Sequence, residues 1–160
     1  MSLGMHVAVT DDDVRVLRDL EGDEVALVEF VHEEVEERDD GYGVATDKAW
    51  DPIHRSLTDG RLLFDNGTEP LNLAVLGGRL LTSGEDEIVL LVDQDRVPAV
   101  ATALADVTEE SLRDGYRRID PAEYPELGDD DVENTWSSFV DLVAFWQRAA
   151  ASGRHVLFTA

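Results

Sequence analysis

An α+β fold in one compact domain, with a small mixed sheet packed against several helices, is expected for this 160-residue chain on three grounds. Apolar residues recur at helical spacing over residues 23–38 and 129–152, whereas Ile88-Val89-Leu90-Leu91-Val92 is a short, continuous and partly β-branched run. With 43% hydrophobic residues, a chain of this length can bury one core of ordinary size. No repeat, low-complexity tract or linker divides it, so residues 4–160 read as a single domain and Met1-Ser2-Leu3 as a leader excluded from fold reasoning.

Met5 to Val9 reads as a short strand, ended by Thr10. Thr10 with Asp13 forms a capping-box-like start for a helix that carries Val14, Leu17 and Leu20. From Asp23 to Arg38, Leu27, Val28, Val31 and Val35 share a stripe while Glu29, Glu33, Glu36 and Glu37 lie largely opposite, which predicts an amphipathic helix. Asp39-Asp40-Gly41-Tyr42-Gly43 then reads as a loop. Trp50, Ile53, His54 and Leu57 are spaced as one helix face; Pro52 suits the first helical position, with Asp51 as N-cap. Residues 60–84 hold short apolar pieces at Leu62 to Phe64 and Leu71 to Leu76 between glycines and asparagines. Ile88 to Val92 suits a strand buried on both faces and central in its sheet. A helix is expected from near Asp95, with Pro98 in its first turn and Val97, Val100, Ala101 and Leu104 inward, and Thr108 caps another through Tyr116. The two prolines of Asp120 to Pro125 force turned or extended backbone. Asp129, Asp130 and Asp131 favour the start of a long C-terminal helix, whose stripe of Val132, Trp136, Phe139, Val140, Val143 and Trp146 ends at Gly153. His155 to Phe158 alternates as a final strand.

Thirty-six acids against thirteen basic residues give a net charge of −23 and a pI near 4.2. A phosphate-binding surface needs clustered Lys and Arg, so nucleic acid is not an expected partner, and an anionic membrane would repel the chain. The absence of cysteine removes disulfides, thiol catalysis and zinc-thiolate sites, and the lack of a signal segment points to the cytoplasm. Twelve arginines accompany a single lysine, Lys48; a carboxylate-rich, lysine-poor surface also suits a halophilic type of adaptation to high salt.

Most motifs reduce to structure. His32 and Glu36 lie one helical turn apart but lack the second histidine of a zincin, and the Asp11–Asp13 and Asp129–Asp131 clusters lack the pattern of a calcium loop. No metal or cofactor is therefore called for. Asn66-Gly67-Thr68 reads as turn chemistry, and no nucleotide-binding glycine motif or hydrolase elbow is present. One segment stands apart: Asp47, Lys48, Trp50, Asp51 and His54 place carboxylates, the sole ammonium, an indole and an imidazole within eight residues. The structural reading makes His54 a hydrogen-bonded core residue and pairs Lys48 with Asp51 or Asp47. The functional reading makes His54 a general acid or base oriented by Asp51 or Asp47, with Lys48 stabilising negative charge.

Asp47-Lys48-Ala49-Trp50, followed by His54 and Leu57-Thr58-Asp59-Gly60, resembles the D-K-x-W-x-x-L-H-x-x-L-T-G core of the YfbM-like family, a bacterial domain of unknown function. Gly4-Met5, Pro70-Leu71, Ala74-Val75-Leu76-Gly77, Val97 to Leu104 and Tyr124-Pro125 match in order, so the resemblance spans nearly the whole chain. It implies a single α+β domain and carries no established activity or catalytic residues. Pro52 and Ile53 depart from the family pattern. With Tyr124 added, the candidate pocket comprises Asp47, Lys48, Trp50, Asp51, His54 and Tyr124. The expected function is a binding or interaction module with an acidic surface for a cationic protein partner; the alternative is a small hydrolase-like enzyme at that pocket.

Overall fold

Thr10 accepts the backbone N–H of Asp13 while the Asp13 carboxylate accepts that of Thr10, a reciprocal cap that turns the first strand, β1 (Gly4–Val9), directly into helix α1 (Asp11–Asp19). The computed structural model describes residues 2–160, so Met1 of the expected leader lies outside the described residues. Helix α2 (Glu24–Phe30) continues into a wider π-helical turn, Val31–Val35, and together they cover residues 24–35 of the 23–38 expected for the second helix. Strand β2 (Gly43–Asp47), helix α3 (Trp50–Leu57) and a 3₁₀ turn at Leu71–Leu73 follow. The second half of the chain is β3 (Arg79–Leu80), β4 (Val89–Val92), α4 (Val97–Ala105), α5 (Glu109–Arg117), α6 (Asp129–Ala151) and β5 (His155–Thr159). Helix α5 carries the Thr108 cap expected of it, reciprocal with Ser111, α4 buries the expected Val97, Val100, Ala101 and Leu104, and α6 opens on the expected Asp129, Asp130 and Asp131.

The strands form one sheet in the order β2-β1-β5-β4-β3, antiparallel at every pairing rather than mixed. The centre is β5 and not β4, because a continuous apolar run records cover on both faces, not position. Alternate residues of β4 confirm that cover. Leu90 and Val92 enter a core with α3, α4 and α6, whereas Val89 and Leu91 enter a second core with α1 and α2. The sheet is thus sandwiched between two helical layers.

Three further corrections shape the candidate site. Gly43–Asp47 is a strand, so the loop expected over residues 39–43 ends one residue earlier; the strand begins on a glycine and carries too little apolar signal to be read. Helix α3 starts at Trp50 with Ala49 as N-cap, so Pro52 occupies its third position, where the missing N–H is still one of the unpaired group of the first turn. In α6, Val132, Thr135, Phe139, Leu142, Phe145, Trp146 and Ala149 are buried, while Val140 of the expected stripe faces outward.

Two polar anchors hold these layers. Arg38 forks onto Asp13 with contacts of 2.8 and 2.7 Å, which holds that carboxyl down at about 2. The stability it contributes is present above the ordinary carboxylate range and lost as pH falls toward 2. On β1, His6 is fully buried among Phe145, Trp146 and Phe158 and donates Nε2–H to the Ala74 carbonyl at 2.7 Å. Burial pulls its imidazole down to about 4. Between that value and the unfolded value near 6.5 the unfolded chain binds the extra proton, so the His6 contribution destabilises the fold as pH drops through this window, by up to about 3 kcal/mol. Ring nitrogen NMR should find His6 neutral, with Nε2 protonated, from pH 7.5 down to 5; a resonance titrating near 6.5 contradicts the assignment.

Candidate functional site

Residues 47–54 cross from the edge strand β2 into α3, and that junction separates the candidate residues into two sets. Asp47 ends β2 with a left-handed φ of 48°, a conformation that aspartate tolerates better than branched residues do, and both Asp47 and Lys48 are exposed. Trp50, Asp51, His54 and Tyr124 are buried. The indole of Trp50 packs on Phe158 and on Gly4, where an added Cβ would lie 2.4 Å from the ring, and its N–H donates to the Ser2 carbonyl at 3.1 Å.

Asp51 pairs with Arg55, one turn along α3, at 2.7 Å; Lys48 is not its partner. Arg55 also donates to the Gly60 carbonyl and to Glu123, and it lies over the Tyr124 ring at 5.9 Å. Burial pushes the Asp51 carboxyl up, with the Arg55 bond acting the opposite way. The Tyr124 hydroxyl in turn donates to Asp131, in the first turn of α6, at 3.1 Å, and Tyr116 donates to the same carboxylate at 2.5 Å. Burial, followed by this carboxylate, raises both phenols above the ordinary tyrosine range. The chain Asp51–Arg55–Tyr124–Asp131 therefore ties α3 to the start of α6, over a sequence separation that no local pattern signals.

His54 is tied elsewhere. Its Nε2 lies 3.0 Å from the Leu63 carbonyl and 2.8 Å from Asn66 Oδ1. The Asn66 amide donates to Thr58 Oγ1, Asp59 and the Arg61 carbonyl, which fixes its oxygen toward the imidazole and makes His54 Nε2 the protonated nitrogen. Burial lowers the His54 pKa, and Nδ1 is left buried without a partner. Asn66, read from the sequence as turn chemistry, is thus a buried hub of the 58–66 loop. In the sequence only the Asn-Gly pair that ends this loop, just after the apolar piece Leu62 to Phe64, marks the position.

These groups neutralise one another rather than a ligand. A cleft of about 200 Å³ opens beside α3, but Ser56, Leu57, Thr58 and Arg118 are among its walls and none of the six candidate residues lines it. Chemically, the assembly is a buried polar scaffold under the α3–α6 junction in which His54 Nδ1 alone of the buried candidate groups lacks a partner, with Asp47 and Lys48 on the surface outside it.

The DUF1877 model, described as a domain of unknown function, matches residues 1–159. The chain belongs to this family. Among solved structures, the DUF1877 chain is similar to YfbM from Escherichia coli, described as a protein of unknown function, with a TM-score of 0.74 and 20% identity over 98% of each chain. That likeness shows the α+β fold, including the long helix followed by a final strand. No curated protein matches the DUF1877 chain significantly. No helix among the described residues is long and apolar enough to cross a membrane.

Proposed function

We propose that this protein is a binding module whose acidic surface holds a cationic protein partner. The carrying observation is where the acids lie: among the described residues, Asp13 and Asp51 are the only buried ones, and each has an arginine partner. Both pairs are neutral, so the net charge of −23 is carried by the residues outside them. Such a surface accelerates encounter with a basic protein and repels acidic ones, with an effect that falls as salt screens it. The hydrolase alternative gains no support from His54, whose protonated nitrogen is committed to Leu63 and Asn66 beneath the surface. In high salt the same carboxylates would serve hydration, and partner binding would then depend on more than charge.

The immobilised protein should capture basic proteins from native lysate at about 0.1 M KCl and release most of them at about 1 M, where the screening length shrinks to about 3 Å. Mass spectrometry identifies the captured set. Retention that is unchanged by salt, or a captured set without basic proteins, overturns the proposal.

A further inference from the structure

Helix α4 has the sequence VPAVATALA, with no charged residue, in a chain of net charge −23. Its buried side, Val97, Val100, Ala101 and Leu104, packs along α6 and leaves two clefts open at the junction. One, of about 300 Å³, is walled by Val107, Trp136, Val140, Val143 and Ala144. The other, of about 360 Å³, is walled by Pro98, Thr102 and Ala150. Ala105 and Gln147 line both, so the clefts join into one trough. Val140 is 47% exposed there. From Trp136 to Ala150, α6 rises about 21 Å, enough to lie along about four turns of another helix.

The charges at the edge restrict what can fill this trough. Asp106 lines the trough, and on α6 exposed Asp141 adjoins Val140 and exposed Arg148 adjoins Gln147, so the edge carries two carboxylates against one guanidinium. A second copy would bring its own charge of −23 to the contact, and an anionic lipid surface would be repelled in the same way. A helix with an apolar stripe and flanking Lys or Arg satisfies both the floor and the rim. We infer that the α4–α6 trough is the docking site of the cationic partner, which lays an amphipathic basic helix into it. This rests on the binding-module reading and adds to it a place, a shape and an apolar anchor that surface charge alone does not supply.

The test uses two peptides of about 14 residues and identical leucine–lysine composition, one with its leucines on a single helical stripe and one with them scattered around the helix. Binding is followed by fluorescence anisotropy at about 0.15 M KCl, where screening limits purely ionic association. The striped peptide should bind about tenfold more tightly than the scattered one. Ala144→Gln, a neutral filler at an exposed position, should remove that difference without changing the melting temperature, and Val140→Ser should weaken it. Equal affinity for the two peptides overturns the trough while leaving the acidic-surface reading intact; no binding of either overturns both. Should the protein alone form a dimer that Ala144→Gln dissociates, the occupant is a second copy and the inference fails.

Discussion

Replacing Arg55 with methionine should lower the unfolding free energy by about 3–5 kcal/mol, because it strands the buried Asp51 carboxylate without its counter-ion. Arg55 is nearly enclosed, with a side-chain exposure of 8% against 3% for Asp51, so solvent cannot replace the lost contact. The loss has a pH signature. In the variant Asp51 keeps the burial that pushes its carboxyl up and loses the bond that opposes it, so its folded pKa exceeds its unfolded one. The folded state then holds the proton more tightly, and Arg55→Met should be least destabilised at acid pH and most destabilised above the folded pKa. The double substitution Asp51→Leu with Arg55→Met should recover most of the loss, since an apolar pair removes the stranded charge. Urea melts at pH 5 and pH 8 measure all three variants. Equal losses at the two pH values, or a double variant as weak as the single, would show that Arg55 acts through Glu123 and Tyr124 rather than Asp51.

A single methyl at Gly115 should cost about 3 kcal/mol by a different route. Gly115 is buried in α5 against α3, and an added Cβ would sit 2.1 Å from the Ser56 carbonyl oxygen and 2.9 Å from its carbon. Both obstacles are backbone, so no rotamer change relieves them and the two helices must separate. Glycine is otherwise a poor residue for a helix interior, by about 1 kcal/mol relative to alanine, and this contact accounts for its presence. Gly153→Ala supplies the control: that position has φ of +63° but open space around it, and should lose only about 1 kcal/mol. If the two alanine variants melt alike, close approach of α3 and α5 is not what the glycine provides.

The elements legible in the sequence are those whose signals are local. Thr10 with Asp13 and Thr108 at the head of α5 mark caps within three residues of their partners, and Asp129 to Asp131 with Gly153 bracket α6. Strand β2 was illegible because pairing with β1, not its own composition, makes it a strand. Sheet order was equally hidden, since the continuous run of β4 and the alternation of β5 record how each strand is covered, and only long-range pairing places β5 at the centre. The candidate site divides along the same line. Helical spacing correctly put Trp50 and His54 on one buried face, but it could not find Arg55 as the partner of Asp51 in place of Lys48. Nor could it find Asn66 beneath His54 or Asp131 beneath Tyr124, because those contacts join loops and helices whose approach depends on the completed fold.

Strand β1 lies between β2, which follows it in the chain after α1 and α2, and β5, whose residues 155–159 come more than a hundred positions later. Pairing β1 with β5 closes a loop that contains nearly every other element, so the entropy of that closure must be met before the centre of the sheet exists. Neither half of the chain can complete the sheet alone: the first lacks the strand that joins its pair to β4, and the second lacks the strand on which β5 rests. A nick in the half-exposed 82–87 segment would therefore leave two fragments that regain structure only by finding each other, which makes fragment complementation, rather than independent folding, the expected behaviour of this domain.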